Sequence, residues 1–69
     1  MYVFIQGDII NLKSFQYIDV DDNQILFNIL GRNGNGDYIS YDFKSQKAAK
    51  AAVATIREAI KRKARYVEL

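Results

Sequence analysis

The hydrophobic periodicity of this chain changes once, after Phe43, and that change restricts the fold more than any single residue. Before it, apolar side chains recur at every second position, as in a half-buried strand. After it they recur every three or four, as in a helix facing a core. Residues 2–6 are a continuous apolar run closed by Gly7-Asp8, which reads as a short strand and a turn. From 9 to 20 the pattern alternates, with Ile10, Leu12, Ile18 and Val20 on one face and Ile9, Phe15 and Tyr17 on the other. Whether this stretch is one bent strand or two stays open. Asp21-Asp22-Asn23 is turn chemistry, because these side chains bond their own backbone. Gln24–Leu30 reads as a strand, residues 31–36 as a loop whose Asn33-Gly34 pair signals a hairpin, and 37–43 as a further strand.

Ser45 is placed to cap a helix over residues 46–65, where seven alanines stand among Lys, Arg, Gln and Glu. Ala49, Ala52, Val53, Ile56, Ile60 and Val67 form its apolar stripe, and Lys47, Lys50, Arg57, Lys61 and Arg65 lie opposite. The expected architecture is a single α+β domain over 1–69. It is a four-stranded antiparallel meander followed by one C-terminal α-helix (β4α).

So short a chain has a marginal core unless something reinforces it. With no cysteine there are no disulfides, and with neither Cys nor His a structural zinc site has no ligands. The alternation leaves Ile9, Phe15, Tyr17, Leu26, Leu30 and Tyr38 on the face opposite Leu12, Ile18, Ile25, Phe27, Ile39 and Tyr41. One helix covers only one of these faces. A homo-dimer or higher homo-oligomer is the expected cover for the other. No segment approaches a membrane span, and the run at 2–5 is too short for a secretory signal. The chain reads as a complete small reading frame, cytoplasmic by default and without a cofactor.

Charge is segregated along the sequence. Residues 1–43 carry Lys13 and Arg32 against six aspartates, whereas residues 44–69 carry eight cations against Glu58 and Glu68. A cationic rod beside an anionic sheet points to an anionic partner or a second copy. Lys61, Arg62, Lys63 and Arg65 complement the negative end of the helix dipole, but Lys47 and Lys50 stand at the positive end, where cations are slightly unfavourable.

The acidic run from Asp19 has calcium-loop spacing at Asp19, Asp21 and Asn23. It lacks the required glycine at Gln24 and the final glutamate at Leu30, so it reads as a turn. Gly31-x-x-Gly34-x-Gly36 joins two strands and does not open a helix, which makes it a hairpin loop and not a phosphate cradle. Ser14, Ser40 and Ser45 have no base at a recognisable spacing, and the chain has no histidine; the reading is non-enzymatic.

In element order, four strands and a C-terminal helix resemble the positive-cofactor type of transcriptional coactivator and one half of a Whirly domain. Both are oligomeric single-stranded DNA binders, so the resemblance implies a nucleic-acid ligand. The strands here are acidic and lack those families' basic, aromatic signatures. The leading expectation is a binding module for an anionic ligand, with single-stranded DNA or RNA foremost. Lys47, Lys50, Arg57, Lys61 and Arg65 would neutralise phosphates, with Arg32, Tyr17 and Tyr38 as further contacts. The alternative is an interaction or inhibitor module of the phage or mobile-element type. It would dock on a host protein through an apolar sheet face or an edge strand.

Overall fold

The computed structural model describes residues 1–30 and 36–69. Turn chemistry decides the first strand pair. β1 (Tyr2–Ile5) and β2 (Asp8–Asn11) are antiparallel, with Ile5 opposite Asp8 across the turn Gln6-Gly7. Both turn residues have positive φ, 49° at Gln6 and 87° at Gly7, which suits a tight hairpin to the twist of its strands. Glycine takes that conformation without strain, so the chain reverses here.

The alternation of 9–20 then breaks. Leu12–Ser14 is a single 3-10 turn opened by Asn11, whose side chain accepts from Lys13 N at 3.1 Å. β3 (Tyr17–Asp21) follows and belongs to a different sheet from β2. β4 (Gln24–Leu30) returns antiparallel to β3 across Asp22-Asn23, with φ 55° at Asp22, and β5 (Gly36–Asp42) pairs antiparallel with β4. The Asn33-Gly34 turn and Arg32 lie outside the described residues.

Helix α1 (Gln46–Lys61) starts as its sequence requires, with Ser45 Oγ accepting from Ala48 N at 3.1 Å. It ends four residues before its composition does. Lys63 takes the left-handed conformation at φ 57°. Its N–H donates to Ile60 O at 3.0 Å, and Ala64 N–H donates to Ala59 O at 2.9 Å. This is the paired-bond stop of a Schellman motif. The chain then enters β6 (Tyr66–Glu68), parallel to β1 with Val67 opposite Val3. Val67 is therefore buried as a strand residue and not as the last member of the helical stripe.

Two three-stranded sheets, β2-β1-β6 and β3-β4-β5, thus replace the expected four-stranded meander, and a strand follows the helix. The 3-10 turn redirects the chain after β2, and β1 takes its second partner from the far end of the sequence. The α+β class and the helix after β5 stand as expected. Helix α1 packs on β3, β4 and β6 and so touches both sheets. Val3, Ile5, Ile10 and Val67 from the smaller sheet meet Ile25, Phe27 and Tyr41 from the larger, and Ala49, Ala52, Ile56 and Ala59 from the helix. Three small alanines on that helix face let its backbone come close. Phe27 is wholly buried, with Phe15 at 5.6 Å and Tyr41 at 5.9 Å between ring centroids. Phe15 joins the core, contrary to its place in the alternation, because it follows the 3-10 turn and does not continue a strand.

The outer face of the larger sheet has three cross-strand rows: Tyr17–Asn28–Tyr38, Asp19–Leu26–Ser40 and Asp21–Gln24–Asp42. Apart from Leu26 and the tyrosine rings these are polar. The expectation of a second copy rested on two apolar faces; the described side chains of this outer face are mixed, with Tyr17, Leu26 and Tyr38 among polar residues. Exposed apolar side chains lie on the outside of the smaller sheet, where Tyr2, Ile9 and Tyr66 surround Phe4, whose ring meets Tyr66 at 5.6 Å, and also at Ile29 and Ile39 on the inner face of the larger sheet and at Ile60 on α1.

Candidate docking groove

Helical spacing gathers Lys47, Lys50, Arg57 and Lys61 into one exposed stripe beside the buried face of α1. Arg65 lies past the helix, in the link to β6, where its carbonyl accepts from Tyr2 N at 2.9 Å. Arg32 is outside the described residues. Tyr17 and Tyr38, each 59% exposed, share a row on the outer face of the larger sheet. Asn28 lies between them, so they stand two strand spacings, about 10 Å, apart. Their neighbours on that face are Asp19, Asp21 and Asp42. Four helix cations are thus brought together, while both tyrosines stand on the outer face of the larger sheet among carboxylates, Tyr17 at the edge where the sheet meets α1.

Among the described residues the one ion pair is Lys61–Glu58, at 3.5 Å and exposed on both sides. The first turn of α1 carries no acidic residue. Lys47 and Lys50 therefore stand near the positive end of the helix dipole without a compensating carboxylate among those residues.

A groove runs between this flank of the helix and β3. It consists of two adjoining hollows of about 390 Å³ each, which share Ile18, Val53 and Arg57. The first has an apolar floor of Leu12, Phe15, Ile56 and Ile60, with Tyr17, Arg57 and Lys61 at its margin. The second continues past Val20 and Ala54, between Lys50 on the helix and Asp19 on the strand. Ile60 is 55% exposed, although its spacing assigns it to the core stripe. Nothing in their spacing marks Leu12, Phe15, Val53 and Ile60 as groove residues, since each reads equally well as core. The one local hint is that Ile60 ends the apolar stripe where Lys61, Arg62 and Lys63 begin.

β3 is a sheet edge, bonded only to β4. Val20 N–H donates to Asp19 Oδ1 at 2.9 Å, so this amide points away from β4. Alternation in an antiparallel pair turns the Ile18 amide and carbonyl the same way. The opposite edge repeats the device, with Tyr38 N–H donating to Asp37 Oδ1 at 2.9 Å. Charges placed on outward amides in this manner blunt strand-to-strand association.

Among the described residues no three acidic side chains are placed to hold a metal ion, and no buried side-chain nitrogen or oxygen lacks a hydrogen-bond partner. No helix among them is long and apolar enough to cross a membrane. No protein-family model, curated protein or solved structure matches this chain.

Proposed function

We propose that this chain is a non-enzymatic docking module that takes an acidic, partly apolar segment of another protein into the groove between α1 and β3. The observation that carries the reading is the pairing of an apolar floor with a cationic wall made of Lys50, Arg57 and Lys61. Apolar burial supplies affinity, and the cations select an anionic partner and steer its approach.

Nucleic acid is the second reading, and the four-cation stripe favours it. A phosphate backbone has no use for an apolar floor, however. The tyrosines that would stack bases stand among Asp19, Asp21 and Asp42, whose charge opposes phosphate.

The test is a display library of random decapeptides panned on the immobilised full chain, alongside a twenty-nucleotide oligothymidylate titrated at low and moderate salt. Enrichment of acidic-apolar peptides, lost in the Lys50→Glu, Arg57→Glu double variant, supports docking. Oligonucleotide binding with a steep salt dependence and no peptide enrichment transfers the stripe to nucleic acid.

A further inference from the structure

Resting on that docking reading, we infer that the partner segment binds in extended form, as a fourth strand added to the free edge of β3, with alternate side chains delivered to the cations of α1. Three features of the fold lead there. The edge presents backbone groups of Ile18 and Val20 that β4 does not use. The groove runs directly beside that edge, so a chain lying in it is within reach of those groups. The dimensions are also comparable. Lys50 and Lys61 are eleven residues apart on α1, about 16 Å of helix. The first and last residues of β3 are four strand steps, about 13 Å, apart. The two elements run in opposite senses, with Ile18 near Ile60 and Lys61, and Val20 near Lys50. A strand laid along β3 therefore passes Lys61, Arg57 and Lys50 in turn.

This geometry specifies the partner's pattern. Successive side chains of a strand point to opposite faces. One set turns toward α1 and meets Val53, Ile60 and the three cations, so it should be acidic or aliphatic at every second position. The other set turns toward Tyr17 and Asp19, where a further carboxylate is repelled, so it should be neutral or basic. A partner bound as a helix would instead repeat its anchors every three or four residues.

Asp19 sets the threshold for this event. Its carboxylate holds the Val20 N–H that an incoming carbonyl would take, and it must swing aside before that bond forms. The guarded edge resists indiscriminate strand pairing, including pairing with another copy, and admits a segment that gains enough from the groove to displace it.

The experiment takes the peptides enriched on the full chain and reads their spacing. A synthetic copy of the most enriched peptide is then compared with two N-methylated versions, one blocking the odd-numbered amides and the other the even-numbered ones. Strand addition predicts period-two spacing of acidic and aliphatic positions, and amide shifts at Ile18 and Val20. It also predicts at least a tenfold loss for one methylation pattern but not the other. Asp19→Ala should tighten binding roughly three- to tenfold, since a competing charged hydrogen bond is removed. Spacing of three and four, or equal binding of the parent and both methylated peptides, overturns strand addition and leaves the docking groove standing. Absence of enrichment, or enrichment indifferent to Lys50→Glu with Arg57→Glu, overturns both.

Discussion

Tyr41 on β5 donates its phenolic hydroxyl to Asp8 Oδ2 on β2 at 2.7 Å, a direct side-chain hydrogen bond between the two sheets. A second link lies beside it, where Gln6 Nε2 donates to Asp42 O at 2.7 Å. Together they hold the first hairpin against β5, while α1 covers β3 and β4. Burial holds the Tyr41 hydroxyl in its neutral form, and the hydrogen bond to Asp8 and that carboxylate's charge act in the same direction, so its pKa is pushed up to about 12.

The first prediction concerns this bond. Tyr41→Phe should cost about 1 kcal/mol of folding stability, read from urea denaturation at neutral pH. In the unfolded chain Tyr41 loses its proton near its ordinary value of 10, whereas the folded chain holds it to about 12. The stabilisation is therefore complete below pH 10 and is lost as pH rises from 10 to 12. The difference in stability between wild type and Tyr41→Phe should shrink across that window, and a constant difference would contradict the assignment.

Lys63 holds a left-handed conformation at the end of α1 where glycine is the usual occupant. Lys63→Gly should raise stability by roughly 1 kcal/mol, because a side chain in that region carries a steric cost of this size. Thermal unfolding followed by circular dichroism reads the effect. An unchanged or lowered midpoint would mean that the lysine side chain compensates for its backbone.

Val67 is the only buried residue of β6, and Leu69 N–H donates to Phe4 O at 2.8 Å just beyond it. Val67→Asp puts an unpaired charge into the core and should cost several kcal/mol, a large part of the stability of so small a domain. Loss of cooperative unfolding in a denaturant titration is the expected result. A variant that unfolds like wild type would show that β6 contributes little.

Lys47 and Lys50 supply the fourth prediction. Replacing Lys47 with Glu places a negative charge in the first turn of α1 and should add about 0.5 kcal/mol of stability, while Lys50→Glu, past that turn, should leave stability nearly unchanged. The same Lys50→Glu variant should lose peptide binding. Stability unchanged together with binding lost would mark Lys50 as a partner contact, whereas a loss of stability would point to a structural role.

Much of this fold is legible from neighbouring residues alone. The turn at Asp22-Asn23, the strand Gln24–Leu30, the cap at Ser45 and the cationic stripe of α1 each follow from chemistry within a few positions. These are local preferences, and the sequence states them directly. It also settles the charge segregation, because every cation of the stripe lies in one stretch and most of the acids in another.

Tertiary structure decided the rest. Alternation cannot say which sheet a strand joins, so it leaves open whether 9–20 is one strand or two; a 3-10 turn at Leu12–Ser14 divides it between two sheets. Composition favoured helix up to 65, but Tyr66–Glu68 pairs with Tyr2–Phe4 at the other end of the chain, and that distant pairing outweighs local propensity for the last turn. The groove belongs to the same category. One side of it comes from residues 12–20 and the other from residues 50–61, segments some thirty to fifty residues apart in sequence, and only the packing of α1 along the edge of β3 makes them one surface.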